Sequence, residues 1–334
     1  MARYCLRAQI ADITVLFETE QESDISDLSS FFKYHLTDSD TEPDCTVVLK
    51  RQASFYMPKD AEMLWQTKRH GIEEPEGRLG RRRVSVSSRV DTFGLASCYV
   101  SRSRGEYYYG LMQDKSWICY KPSEHKINYI LHYRPTHSSR ANENTHTDPL
   151  SAVTLLIHVL TTIHGRYLIH GAAVSYNGKA SLFLGKSGSG KSTLSTDLSR
   201  QEASFMGDDL VLIYLKDNVP MVGALLFPAK LRFTGAGDKS SVDVPQEMQT
   251  DYCLSAPLEA VYLVHQSGLS ASTVEPLPSV ELLQQLMSAS NGMMMQYNKQ
   301  EWLSTMYATS EQVPYFLFHF GDRSALDVSI LKTR

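Results

Sequence analysis

Short runs of β-branched and aromatic residues alternate with polar turn residues over residues 1–135. Runs of this kind, bounded by turn residues, predict β-strands rather than helices. The predicted strands cover residues 8–17, 45–50, 83–90, 97–101, 107–112, 116–120 and 127–133. Their spacing is typical of an antiparallel meander, so we predict a β-rich N-terminal domain over residues 1–145.

The pattern changes after a polar segment, residues 135–148, which has no apolar periodicity and is the best linker candidate. Asp148 then offers a helix cap and Pro149 a first-turn proline to an apolar helix over residues 150–163, with Gly165 as its predicted end. Strand and helix signals alternate from there onward. They predict a second domain over residues 146–334.

Two predicted strands, residues 167–175 and 179–184, form a hairpin because Asn177 and Gly178 between them tolerate positive φ. The second strand leads directly into residues 185–192, GKSGSGKS, a full match to the GxxxxGK[ST] pattern. Glycines let successive backbone N–H groups turn inward around phosphate oxygens, and the helix that follows adds its positive N-terminal end. We therefore predict a phosphate loop.

The spacing of this loop assigns a task to two side chains. Lys191 is placed to reach the β- and γ-phosphates, and Ser192 to put its hydroxyl on Mg²⁺. A nucleoside triphosphate with Mg²⁺ is therefore the predicted ligand. The residues predicted to contact it are Gly185, Lys186, Ser187, Gly188, Ser189, Gly190, Lys191, Ser192 and Thr193.

The flanks of the loop distinguish this chain from common phosphate-loop proteins. Its strand is the second arm of a hairpin, which predicts a mixed sheet instead of a parallel one. Asp208 and Asp209 lie 17 and 18 residues beyond Lys191 and lead into a predicted strand over residues 210–215. His170 precedes the loop by 15 residues, on the predicted first arm of the hairpin.

Three segments together, the run HGAA from His170, the loop GKSGSGKST and the block GDD that ends in Asp209, resemble the catalytic domain of HPr kinase/phosphorylase and its HPr-kinase-like relatives. That fold is shared with phosphoenolpyruvate carboxykinases. The resemblance covers about residues 150–235, and residues 257–264 look like a late strand of such relatives. It implies an α/β (α+β) kinase domain with a mixed sheet that uses ATP and Mg²⁺.

The resemblance also implies an activity: transfer of the γ-phosphoryl group to a hydroxyl, typically of serine, in a protein or peptide acceptor. Asp208 would activate that hydroxyl with help from His170, while Asp209 would join Ser192 as a metal ligand. The two aspartates remain interchangeable in these roles. Lys191 would contact the transferred phosphate.

Arg232 is a further candidate, because a guanidinium matches the oxygens of a transferring phosphoryl group. The bifunctional enzymes of the family carry an acid two residues before a comparable arginine, and this chain has Lys230 there. This departure from the family pattern favours a dedicated kinase and leaves open whether any phosphorylase activity remains.

Two other functions stay open at this stage. One is a nucleotide-gated protein that binds a peptide or partner without phosphoryl transfer, and the other is a kinase of a small-molecule hydroxyl. The span from Arg78 to Arg104 contains seven arginines and one acidic residue. It is either a surface for an acidic peptide or nucleic acid, or a solvated strand face. We expect the N-terminal domain to recognise the acceptor.

Composition narrows the setting. The chain has 334 residues, enough for two domains, and a formal net charge of −4, which creates no overall attraction for nucleic acid or an anionic membrane. Five scattered cysteines without a CxxC pair indicate neither a disulfide framework nor a zinc site. The sequence thus predicts a cytoplasmic protein with no nucleic-acid or membrane partner, and the resemblance implies a homo-oligomer.

Overall fold

The computed structural model describes most of the chain. The described residues are 3–52, 55–68, 71–76, 80–84, 96–111, 116–132, 149–227, 229–231, 240–266, 271–290, 299–321, 323 and 326–331. Packing divides the chain into a first unit, Met1–Gln9 and Ile13–Leu160, and a second unit, Ile10–Asp12 and Thr161–Arg334. The domain boundary predicted near residue 145 lies outside the described residues. None of the described helices has both the length and the apolarity needed to cross a lipid bilayer.

The first unit is built around a ten-stranded sheet. Its strands are β1 (Tyr4–Ile10), β2 (Ile13–Thr19), β3 (Cys45–Gln52), β4 (Ala61–Lys68), β5 (Gly71–Glu76), β6 (Gly80–Val84), β7 (Ala96–Ser101), β8 (Glu106–Leu111), β9 (Trp117–Lys121) and β10 (Lys126–His132). They are ordered β1-β2-β3-β10-β9-β8-β7-β4-β5-β6. Helix α1 (Glu22–Phe31) lies between β2 and β3 in sequence.

This sheet is mixed, which corrects the predicted meander. Strands β7 to β10 pair antiparallel in sequence order, as expected, but β3 pairs parallel with both β2 and β10. A parallel pair needs a long crossover, and α1 lies in the one between β2 and β3. The single strand predicted over residues 8–17 is two strands, β1 and β2, separated by a turn in which Ala11 has a φ of 55°. Neither β4 nor β5 is among the predicted strands.

The second unit contains the remaining strands: β11 (Tyr167–Ile169), β12 (Ala172–Tyr176), β13 (Lys179–Leu184), β14 (Ser204–Gly207), β15 (Val211–Lys216), β16 (Val219–Gly223), β17 (Ala229–Leu231), β18 (Ser240–Val242), β19 (Ser255–Gln266), β20 (Thr273–Leu277) and β21 (Tyr315–Phe320). Its helices are α3 (Lys191–Ser199), α4 (Val244–Met248), α5 (Ser279–Ala289) and α6 (Lys299–Gln312). Helix α2 (Pro149–Ile163) begins in the first unit and ends in the second.

Nine of these strands form the main sheet of the second unit. Seven are ordered β11-β15-β16-β19-β13-β12-β14, and β21 pairs with both β19 and β20. Strand β13 runs parallel to β19, and β19 runs parallel to β21, whereas β12 is antiparallel to β13 and β14. The strand directions and the accompanying helices confirm the predicted mixed sheet and the predicted α/β class.

One local prediction in this sheet is wrong, and one strand is missing from the predictions. The strand predicted over residues 167–175 is broken at His170 and Gly171, because β11 pairs with β15 while β12 pairs with β13. A Cβ at Gly171 would lie 2.8 Å from the carbonyl oxygen of Phe183, so the chain passes close to β13 there. Asp208 and Asp209 precede β15, as predicted. They also directly follow β14, a strand that the sequence pattern does not reveal.

The strand directions bring several chain segments to one edge of the sheet. Strands β13, β14, β19 and β21 run in the same direction, so their carboxyl ends meet at that edge. The antiparallel strand β12 begins there. Helix α3 covers one face of these strands, where Leu194 and Leu198 pack in a core with residues of β12, β13, β19 and β21.

Helix α2 agrees with its prediction. Gly165 follows it with a φ of 71°, and the N–H of Arg166 donates to the carbonyl of Thr161 at 2.8 Å, which satisfies the helix end. The ring of His158, within α2, has no exposed surface. Burial lowers the pKa of His158 from 6.5 to about 3.

The first prediction concerns the packing of α3. Leu194 is fully buried, so Leu194→Ala is expected to lower the free energy of unfolding by about 2–5 kcal/mol through lost burial and a residual cavity. Leu303 on α6 is 46% exposed, and Leu303→Ala is expected to cost about 0.5 kcal/mol or less. Urea denaturation of both variants measures the difference. Equal losses would contradict the packing of α3 described above.

The second prediction concerns acid stability. The unfolded chain gains a proton at His158 near pH 6.5, whereas the folded chain does so only near pH 3. Stability is therefore lost as the pH falls through this window, by at most about 1.4 kcal/mol per pH unit. His158→Leu is expected to flatten this dependence. Burial also lowers the pKa of His35, but His35 is present in both the unmodified chain and the His158→Leu variant, so it does not contribute to their difference. Parallel pH profiles of unfolding free energy would contradict the prediction.

Candidate functional site

The glycine-rich loop connects the end of β13 to the start of α3. Gly185, Gly188 and Gly190 have φ values of 140°, 84° and 99°, a region that residues with a Cβ rarely adopt. Gly190 caps α3, and its carbonyl accepts the first helical hydrogen bond from the N–H of Leu194 at 2.8 Å. The backbone of the loop thus needs glycine where the phosphate-loop pattern requires it.

The two ends of the loop also press against neighbouring strands. A Cβ at Gly185 would lie 2.8 Å from the carbonyl oxygen of Val264 on β19. A Cβ at Gly190 would lie 2.7 Å from the ring of Phe320 on β21. Space, as well as φ, therefore excludes larger residues at both positions, and the loop is seated on the carboxyl ends of β19 and β21.

Lys191 turns back into the loop. Its side chain is buried, and Nζ donates to the carbonyls of Gly185 and Lys186 at 2.9 and 3.1 Å. Within the described part of the chain, the buried hydroxyl of Ser189 has no hydrogen-bond partner. Ser192 lies at the start of α3 and is partly exposed. A positive charge and a polar hydroxyl are therefore held inside the loop, where an anion would lie.

Asp208, Asp209 and His170 lie together at the same edge of the sheet. The Nδ1 of His170 is 3.4 Å from Oδ1 of Asp209. The N–H of Gly171 donates to the carbonyl of Asp209 at 3.2 Å, and the N–H of His170 donates to that of Ala289 at 2.8 Å. Main-chain hydrogen bonds therefore fix the His170 segment between β14 and the end of α5.

The two aspartates differ in their surroundings. Asp209 is exposed and has a φ of 71°, which is uncommon for a residue with a Cβ and marks a tight turn. Asp208 is less exposed, and its Oδ1 is shielded from solvent. The imidazole of His170 pairs with Asp209, whereas the sequence resemblance implied cooperation between His170 and Asp208. Both carboxylates follow β14, whose carboxyl end lies at the same edge of the sheet as the loop.

Several of the predicted site residues are not among the residues that the structure describes. Arg232 is not among the described residues, and neither are residues 78–79 and 85–95 of the basic span. Arg102, within that span, is exposed, and its guanidinium lies 3.5 Å from Glu62. Among the described residues, no group of three or more His, Cys, Asp or Glu side chains is arranged to hold a metal ion.

Sequence reasoning missed two histidines at this edge. His265 lies near the end of β19 and His319 near the end of β21, and they are partners in the strand register. The sequence resemblance indicates a strand over residues 257–264, but it does not give the direction of that strand relative to the loop. Only the parallel pairing with β13 brings the carboxyl ends of β19 and β21 to the loop.

Comparisons with known proteins add little. No protein-family profile matches the sequence, and no curated protein matches it. Among the solved structures similar to the chain is the HPr(Ser) kinase/phosphatase from Coxiella burnetii, with 14% sequence identity and a TM-score of 0.29. The similarity covers 46% of this chain and 85% of that one. A similarity of this strength assigns neither a family nor a substrate.

The third prediction tests how tightly the loop is seated. Gly190→Ala and Gly178→Ala both place a Cβ on a residue with positive φ, but only the Cβ at position 190 meets a neighbour, the ring of Phe320. Gly190→Ala is therefore expected to be about 1–3 kcal/mol more destabilising than Gly178→Ala. Thermal unfolding of the two variants measures the difference. Equal losses of stability in the two variants would show that the ring of Phe320 moves aside without an energetic cost.

Proposed function

We propose that this chain is an ATP-dependent kinase that transfers the γ-phosphoryl group to a hydroxyl, typically of serine, in a protein or peptide acceptor. The observation that carries the proposal is the meeting, at one sheet edge, of a glycine loop holding Lys191 and a carboxylate pair accompanied by His170. The loop supplies backbone N–H groups and a positive charge for a triphosphate, and the carboxylates supply a base for an acceptor hydroxyl.

Four features of the loop suit the phosphates of ATP. Its glycines leave the backbone N–H groups accessible, and α3 directs its positive end toward the same place. The ammonium of Lys191 donates to the carbonyls of Gly185 and Lys186, so its positive charge is held inside the loop, where β- and γ-phosphate oxygens would lie. The hydroxyl of Ser189, buried without a partner among the described residues, gains one in a bound phosphate.

The oxygen donors at this edge suit Mg²⁺, which prefers carboxylate, hydroxyl, water and phosphate oxygens. In this proposal the hydroxyl of Ser192 and the exposed carboxylate of Asp209 hold the ion. When bound, Mg²⁺ neutralises charge that develops between the β- and γ-phosphates. His170 restrains Asp209 through the 3.4 Å contact between their side chains.

Asp208 acts as the base in the proposed reaction. Its carboxylate accepts the proton of the acceptor hydroxyl while the oxygen of that hydroxyl bonds to the γ-phosphorus. The bond from phosphorus to the bridging oxygen breaks, and ADP leaves with that electron pair. Lys191 stabilises the charge on the transferring group. Arg232, outside the described residues, is proposed to assist there.

The choice between Asp208 and Asp209 as base rests on their surroundings. Asp209 is engaged by His170 and faces solvent, a position that suits a metal ligand. Asp208 is more shielded, which strengthens its interaction with a bound hydroxyl. For the acceptor itself, we propose that the first unit provides the recognition surface, with its arginine-rich span as the first region to test.

The fourth prediction tests transfer separately from binding. With γ-³²P-ATP and a panel of serine-containing peptides, Asp208→Asn is expected to lower the transfer rate about 10²–10⁴-fold because the base is lost. ATP affinity, measured by calorimetry, should change little. Asp217→Asn is the matched control, because Asp217 is an exposed aspartate with a φ of 51° at the opposite end of β15.

Four outcomes are informative. Normal transfer by Asp208→Asn would contradict its role as base, and a deeper loss in Asp209→Asn would reverse the two assignments. Label appearing only in small hydroxyl compounds would change the acceptor class. ATP binding without transfer to any acceptor would favour the nucleotide-gated binding protein.

A further inference from the structure

Two histidines stand next to each other at the edge of the sheet that carries the glycine loop. His265 and His319 are paired in the parallel register of β19 and β21. Their ring centroids are 6.0 Å apart, and their planes are inclined by 75°. His265 is exposed, and a quarter of the His319 side chain is accessible. Both rings are therefore accessible to a ligand.

The register places this pair beside the loop. Leu184, the last residue of β13, is level with Leu263, so His265 lies two residues further toward the edge, where the loop has left β13. Neighbouring strands are about 4.8 Å apart. His265 is therefore one strand away from the loop strand, and His319 is two strands away.

The histidines and the carboxylates occupy opposite sides of the loop. The strand order β14-β12-β13-β19-β21 puts Asp208 and Asp209 on one side of β13 and His265 and His319 on the other. A triphosphate is an extended chain. If its γ end faces the carboxylates, its nucleoside end leaves the loop in the opposite direction, toward β19 and β21.

The chemistry of the pair suits a nucleobase. Imidazole rings stack on base faces, and ring nitrogens form hydrogen bonds to base edges. Oε1 of Glu275, on the neighbouring strand β20, lies 3.8 Å from Nε2 of His319. Val264, Phe318 and Phe320 point into the core under α3, so His265 and His319 belong to the opposite face, at its rim.

We propose that His265 and His319 form the base-binding side of the nucleotide site and stack against the adenine of ATP. This inference rests on the proposed function, because it assumes that the loop binds the triphosphate. It assigns substrate recognition to two residues outside the loop motif. The carboxylate side performs the transfer, and the histidine side holds the nucleoside.

The fifth prediction compares ATP with inorganic tripolyphosphate, which has the phosphates but no base. In the full-length chain, His265→Ala combined with His319→Ala is expected to weaken ATP binding at least about fivefold, since a stacked base contributes at this level. Tripolyphosphate binding should be unchanged. Replacing both histidines by phenylalanine restores a stacking surface and should recover most of the affinity.

The control is His164→Ala. His164 precedes β11, whose other end leads to His170, so it lies away from the edge with the loop. If His319→Ala impairs folding in thermal unfolding, the exposed His265→Ala alone carries the test, with a smaller expected loss of ATP affinity and the same insensitivity of tripolyphosphate.

The outcomes separate the two proposals. Unchanged ATP binding in the alanine variants, or equal weakening of ATP and tripolyphosphate, would overturn the base-binding role while leaving the kinase proposal intact. Unchanged ATP binding with poorer use of a peptide acceptor would likewise overturn it, in favour of acceptor contact. Failure of the unmodified chain to bind either ligand would overturn the kinase proposal and this inference together.

Discussion

The parallel pairing of β13 with β19 is the constraint on which the candidate site depends. Because β19 is also parallel to β21, and β14 runs in the same direction beyond β12, four carboxyl ends and the start of β12 meet at one edge. Side chains distant in sequence are thereby brought beside the glycine loop. Reversing any one of these strands would move its terminal residues to the far side of the sheet.

Backbone conformation is the second constraint, and it acts locally. The loop uses left-handed conformations at Gly188 and Gly190 and close approaches at Gly185 and Gly190, so sterics restrict what these positions accept. Asp209 adopts a similar conformation without being glycine. The site thus concentrates unfavourable backbone geometry, and the core under α3 and the main-chain bonds around His170 hold it in place.

The sequence pattern predicts local features of this fold well. The GxxxxGK[ST] match and the Asn177–Gly178 turn depend only on neighbouring residues, and the structure has a hairpin, a loop and a helix there. Strand β14 escapes prediction because four residues are too few to show a period. The parallel strands around β3 and the histidine pair depend on strand order, and no local pattern encodes strand order.

At the break between β11 and β12, the position of His170 does not depend on the side chain that the residue carries. Its N–H donates to Ala289, and the next N–H donates to Asp209, so main-chain atoms alone fix where the chain crosses the edge. Another residue at position 170 would inherit the same location and direction. The side chain at position 170 can therefore change in evolution while the sheet stays the same. Gly171 cannot be replaced in this way, because it is pressed against β13.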